Sequence, residues 1–274
     1  MSFMKFRFSR TLGVLALAGS LASLPACATA ISTQQEVQLG QEYAAQLARE
    51  LPLMQDGQVV NYINQLGRSI ANIADPRGIQ YRFYVVNAPE VNAFAVPGGH
   101  VYINRGLIER SDNMSEVAGV LAHEIGHVVH RHGIDQMQRA QTANGVLAAV
   151  YGVLLGRNPS GLEQVAIQGG GSALFAGYSR DAEREADETA VRYLMAAGVN
   201  PNGLVTMFEK LLAERQSNPG AVERWFSTHP TTRERITNVQ AIISQIPQSS
   251  LRSLTTNTQA FTQFRSRVRS LPGA

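Results

Sequence analysis

One cysteine, Cys27, occurs in 274 residues, so the chain can form no internal disulfide and no multi-cysteine zinc site. The apolar stretch Leu12 to Leu24 falls short of the roughly 20 residues that span a bilayer. Beyond its first residues the chain also lacks any excess of charge. The net +3 comes from Lys5, Arg7 and Arg10, because 24 basic residues less these three leave 21 against 21 acidic ones. Bulk charge therefore leaves no footprint for a polyanion, and no nucleic-acid partner is expected. No repeat is visible. A composition of 44% hydrophobic and 16% charged residues is that of a soluble globular protein, not of collagen, a coiled coil or a disordered chain.

What is present begins with an address. Three positive charges precede Leu12 to Leu24, and Pro25 follows. This layout predicts a secretory signal over residues 1–30, ahead of a single domain over 31–274. Two processing sites compete. Ala28-Thr29-Ala30 fits an A-x-A cleavage site, whereas Leu24-Pro25-Ala26-Cys27 resembles a bacterial lipobox ending at a lipidated Cys27. Either sends the chain to a bacterial envelope. The periplasm is the expected compartment, with an anchor in the outer or inner membrane surface if Cys27 is lipidated.

Helices are expected over Thr33–Leu51, with a capping box from Thr33 and Glu36, and along the face Val59, Ile63, Leu66, Ile70 and Ile73. Alternation predicts a strand over Tyr81–Asn87, a short one over Asn92–Val96, and a third over His100–Asn104 after the turn Pro97-Gly98-Gly99. A long helix capped by Ser111 or Ser115 runs to about His132. Helices follow over Asp181–Ala197, Asn202–Gln216 and Thr232–Ile246. Phe261, Phe264 and Val268 sit at helical spacing in the tail. Between them, Gly133 to Tyr178 is ambiguous, reading equally as a mobile lid or a buried hairpin. A few strands among many helices argue for an α+β fold.

His123-Glu124-Ile125-Gly126-His127 lies in the middle of the long helix. Positions four apart share a helix face, so both imidazoles can hold one metal while Glu124 stands beside it as a general base. With six histidines and 15 glutamates, such a match arises by chance about 0.007 times per chain. Catalytic zinc takes three protein ligands and keeps a fourth position for water. Glu183 and Asp187, one turn apart on a second helix, are the candidates for the missing ligand. One can ligate while the other supports a ligand by hydrogen bonding.

Together these residues resemble the gluzincin metallopeptidase family of HtpX, the CAAX prenyl proteases and the periplasmic BepA-like proteases. The resemblance runs from about Glu36 to Ile236. It rests on Glu36 to Gly40, on Asn92 to Gly99, on Leu121 to His127, on Ser179-Arg180 with Glu183 and Asp187, and on Thr228-His229-Pro230 with Arg233 and Ile236. It implies a mostly helical, zincin-like domain with a small sheet whose edge strand flanks the active site, and one zinc per chain. It also implies Glu183 as third ligand and Asp187 as a support or proton donor. The expected form is the short, soluble or lipid-anchored one, without the membrane helices or tetratricopeptide extension of its relatives.

The function so implied is zinc-dependent endopeptidase cleavage of misfolded or misassembled envelope proteins. A chaperone or assembly factor with little proteolysis is the alternative. Polypeptide substrates would pair as an added strand along Asn92, Ala93, Phe94 and Ala95. His229 precedes a proline, which favours an extended backbone and a projecting imidazole. Three roles stay open for it: a fourth ligand that blocks water, an oxyanion donor, or a cap on the following helix. His100, His130, His132, Trp225 and Phe226 read as structural.

Mass spectrometry of the mature N-terminus tests the address, with a lipidated Cys27 expected. A free N-terminus at Thr29 or Ile31 would refute the lipid anchor. From Cys27 to Thr33 the chain can reach about 20 Å, at about 3.4 Å per residue.

Overall fold

A computed structural model describes residues 31–140 and 177–273. The expected signal, Cys27 and most of the ambiguous stretch before Tyr178 lie outside those residues.

Helix α1 (Thr33–Glu50) is capped by Ser32, whose side chain accepts from the Gln35 N–H while Gln35 reaches back to the Ser32 N–H. The capping box is thus one residue earlier than Thr33 and Glu36. Glu36 is buried instead, 3.1 Å from Arg77 and 2.9 Å from Arg131. Helix α2 (Gly57–Ala74) starts at Asp56, which accepts from two backbone N–H groups. Its inward face is the one expected except for Ile73, which is 47% exposed.

Strands β1 (Arg82–Val86), β2 (Ala93–Val96) and β3 (His100–Asn104) form one mixed sheet in the order β1-β3-β2. β1 runs parallel to β3 and β2 antiparallel to it, with Ala93 opposite Ile103 and Val96 opposite His100. β2 is an edge strand, so among the described residues its outer side carries no partner strand. His100 is a structural residue of the central strand, 3.0 Å from the Tyr84 hydroxyl; burial and Arg82 lower its pKa to about 4.

The rest is helical: α3 (Arg105–Arg110), α4 (Met114–Val129), α5 (132–140), α6 (Arg180–Ala196), α7 (Asn202–Ser217), α8 (Pro219–Thr228), α9 (Arg233–Ser244), α10 (Gln248–Arg252) and α11 (Gln259–Ser270). The architecture is a mostly helical α+β, zincin-like domain. Neither α3 nor α8 is anticipated by apolar periodicity. α3 is short, and α8 follows α7 after only Asn218, so the two merge in a hydropathy pattern. Phe261, Phe264 and Val268 of α11 are all buried. No helix among the described residues is long and apolar enough to cross a membrane.

α4 is the hub of the core. It is buried from Met114 to Val128 and packs against α6, α7, α2 and the sheet. A helix buried all round needs neighbours that approach closely, and glycines allow it. A Cβ placed on Gly203 of α7 would lie 2.2 Å from the Ser115 carbonyl carbon, and one on Gly119 would lie 2.9 Å from Leu204 Cα. Gly203→Ala should therefore lower stability by about 1–3 kcal/mol, by overpacking rather than by lost contacts. Urea denaturation checks this, and an unchanged midpoint would show that α7 can shift freely.

Candidate metal centre

α4 begins at Asn113, whose side chain accepts from the Glu116 N–H. Neither Ser111 nor Ser115 is the cap. Ser111 ends α3, and the Ser115 hydroxyl donates to Asn113. The helix carries His123, Glu124 and His127 to the centre of the domain, all at most 1% exposed. α6 is capped by Ser179 and brings in Glu183 and Asp187 from the facing side. The two helices touch where a Cβ on Gly126 would lie 3.1 Å from Ala186 Cα. The glycine inside the motif thus sets how near the two sets of side chains stand.

Four residues, His123, His127, Glu183 and His229, converge so that one donor atom of each lies within 4.8 Å of the others. His123 Nε2 and His127 Nε2 are 3.1 Å apart. Glu183 Oε1 is 3.4 Å from His127 Nε2, and Glu183 Oε2 is 3.6 Å from His123 Nε2. His229 Nδ1 is 3.4 Å from His123 Nε2 and 3.1 Å from Glu183 Oε1. Zinc bonds of about 2.0–2.1 Å in a tetrahedron imply donors separated by about 3.3 Å. The donor set and its spacing fit zinc.

Charge agrees with spacing. Among the described residues, Glu124, Glu183 and Asp187 are three buried carboxylates and Arg235 is the one arginine beside them. A dication would balance the remainder. Burial pushes the Glu124 carboxyl up, only partly offset by His229 and His123. Burial also works against Glu183 ionising, but His229, His123 and His127 outweigh it and hold its pKa well below the usual range. For His123, burial is outweighed by Asp187 and Glu183, which raise its pKa to about 9. A metal bound there displaces that proton.

Behind these residues lies a second layer. Asp187 Oδ1 is 2.9 Å from His123 Nδ1, and Arg235 grips Asp187 with Nε at 2.8 Å and Nη2 at 2.7 Å. Arg235 also abuts Glu183. The arginine of the closing motif is therefore Arg235, while Arg233 is exposed. Both arginines lie at the margin of the buried face of Ile236, Val239 and Ile243, so apolar periodicity barely separates them and the packing of α9 makes the choice. Tyr178 stacks on His127 at 3.8 Å between centroids, and no pattern in the sequence marks it.

His229 follows α8 with φ −124° and ψ 86°, outside the helical region but short of the extended backbone expected before Pro230, and its imidazole is buried in the cluster. It does not cap α9; Thr232 does, accepting from the Arg235 N–H. Trp225 is core, as expected, and also stacks on His229 at 4.7 Å. Of the predicted strand residues, Asn92 precedes β2, while Ala93, Phe94 and Ala95 lie in it. Its Ala95 end borders a small cleft with Pro97, His127, Arg131 and Tyr178.

Two buried motif helices, a paired-histidine donor set and a carboxylate beside it define the zinc metallopeptidase class. Peptidase family M48 matches residues 55–243, and the chain belongs to that family. Over 243 residues it is 32% identical to the beta-barrel assembly-enhancing protease of Escherichia coli K12, covering 84% of this chain and 49% of that protein. Metalloprotease YcaL of the same organism is 31% identical over 193 residues, 67% of this chain and 72% of that one. Mitochondrial metalloendopeptidase OMA1 of Schizosaccharomyces pombe is 28% identical over 181 residues, 65% of this chain and 51% of that one. The chain spans about half the length of the beta-barrel assembly-enhancing proteases it matches.

Arg235 offers a direct test of the charge balance. Arg235→Leu leaves Asp187 and Glu183 buried without their cation, so the zinc-free protein should lose about 3–5 kcal/mol. Chemical denaturation in chelator measures it, and a loss under about 1 kcal/mol would contradict the arrangement.

Proposed function

We propose that this chain is a zinc-dependent endopeptidase of the bacterial cell envelope, working in the periplasm on misfolded or misassembled envelope proteins. The observation that carries this reading is the buried donor set with Glu124 beside it. His123, His127 and Glu183 would hold the metal. Zinc bound there supplies a water of lowered pKa and a positive charge near the scissile carbonyl. Glu124 would take the proton of the attacking water and hand it to the leaving amine. Its raised pKa suits a group that must both accept and return a proton. Asp187 faces the outer nitrogen of His123 and is gripped by Arg235. That placement favours orienting His123 over donating a proton to substrate.

The position of β2 at the edge of the sheet supports strand addition by the substrate along Ala93, Phe94 and Ala95, with Asn92 at its entry. The names of the beta-barrel assembly-enhancing proteases support β-barrel proteins in assembly as the clients. A lipidated Cys27 would keep the domain near a membrane surface.

His229 favours a latent resting state. Its Nδ1 stands among the donors and its Nε2 is 3.4 Å from Glu124 Oε1, so the imidazole occupies the space facing the base. This geometry favours the blocking role over an oxyanion donor, and the chain would open that loop to work.

Casein digestion with and without a zinc chelator tests the reading. Chelator should abolish cleavage, and Glu124→Gln should retain zinc while losing about 10²–10⁴-fold in turnover. His229→Ala at matched zinc content should cleave faster than wild type. A loss of activity in His229→Ala would instead support the oxyanion role, and full activity in Glu124→Gln would refute the mechanism.

A further inference from the structure

The backbone turns sharply after α4. His130 caps the helix and Arg131 adopts φ 58°, in the left-handed region that a non-glycine residue enters only at a cost. Arg131 is held there by Glu36, 2.9 Å from its Nε, and by the Ile31 carbonyl, to which it donates. Had α4 continued to His132, that residue would stand about 140° round the helix from His127. The turn brings it back instead, with His132 Nδ1 2.8 Å from His127 Nδ1. His132 is buried, and its Nε2 lies 3.1 Å from Glu185 Oε2. The other oxygen of Glu185 is 3.1 Å from His130 Nδ1.

Proton bookkeeping fixes each tautomer along this path. His127 presents Nε2 to the donor cluster, so its proton sits on Nδ1 and must be donated outward. Among the described residues the acceptor in line is His132 Nδ1, which must then be bare. His132 therefore carries its proton on Nε2 and donates it to the Glu185 carboxylate. Every ring nitrogen in the chain has one role, and the path ends on a half-exposed carboxylate.

We propose that His132, oriented by Glu185, is a positioning residue that fixes the tautomer and ring plane of His127 for metal binding. This rests on the reading of His127 Nε2 as a zinc ligand. The two histidines of the motif then have unlike supports. His123 leans on the buried carboxylate of Asp187, whereas His127 leans on the imidazole of His132, backed by Glu185. α6 supplies both carboxylates and the candidate ligand Glu183 besides.

Zinc competition with a chromogenic chelator, combined with thermal melting of the metal-free proteins, tests it. Wild type should bind one zinc, and His127→Ala should lose it. His132→Phe should bind zinc about 10–100-fold more weakly, with its metal-free melting temperature unchanged. His132→Asn, whose side-chain oxygen can accept from His127, should recover most of that loss. Glu185→Ala, altered at a half-exposed site that folding tolerates, should weaken zinc by about tenfold. Wild-type affinity in His132→Phe would overturn the proposal, as would an Asn variant no better than Phe. If His132→Phe fails to fold, wild-type affinity in Glu185→Ala overturns it. A wild-type protein that binds no zinc would remove the ligand reading and this proposal together, whereas intact wild-type binding with indifferent variants removes this proposal alone.

Discussion

The close passage of α4 and α6 at Gly126 and Ala186 is the contact on which the site depends. At this crossing the helices touch through a glycine on one side and a small alanine on the other, and a Cβ at Gly126 would already stand 3.1 Å from Ala186 Cα. That closeness places Glu183 within 3.4 Å of His127 and Asp187 within 2.9 Å of His123. A larger residue at position 126 would push the helices apart by tenths of an ångström. Donors spaced for one metal ion have no slack of that size. The packing of α4 against α7 through Gly119 and Gly203 holds the same helix from another side, so its histidines cannot drift away from α6.

Bringing these groups together has an electrostatic cost. Three carboxylates are removed from water in the middle of a hydrophobic core, and among the described residues one guanidinium answers them. Burying unpaired charge is among the most destabilising acts available to a folded chain. Arg235 offsets part of it by gripping Asp187 with two nitrogens, and the imidazoles of His123, His127 and His229 offset more around Glu183. What remains is a negative, well-ordered pocket of nitrogen and oxygen donors, which suits a divalent cation of borderline softness. Metal binding and stability are therefore coupled in this domain, and α8, α9 and their loop are part of the centre because they deliver His229 and Arg235.

Much of this was legible in the residues. The α+β class, the three strands and the helical placement of His123, Glu124 and His127 follow from periodicity and spacing; one-turn separation marks Glu183 and Asp187 as a pair of candidates, and the choice of Glu183 between them comes from the family resemblance. Helix ends were less legible. Ser32 and Asn113 compete with neighbouring serines and threonines of similar capping strength, and only the backbone geometry chooses among them. Arg235 was obscured by Arg233, since two arginines two residues apart differ only in which one the helix turns inward. His132 was hidden for a deeper reason. An uninterrupted helix would carry it away from His127, and the left-handed Arg131 that returns it is a backbone event with no glycine to announce it. Tyr178 stacks on His127 across a long separation in sequence, which no local pattern encodes.

X-ray absorption at the zinc edge of the purified protein tests the central claim most directly, because it reads the identity of the donors without relying on turnover. The account predicts one zinc bound only by nitrogen and oxygen at about 2.0–2.1 Å, with the multiple-scattering signature of three imidazoles in the resting protein. A His229→Ala sample should show two imidazoles with the site otherwise intact. A wild-type spectrum with no tightly held zinc, or with a single imidazole, would contradict the account.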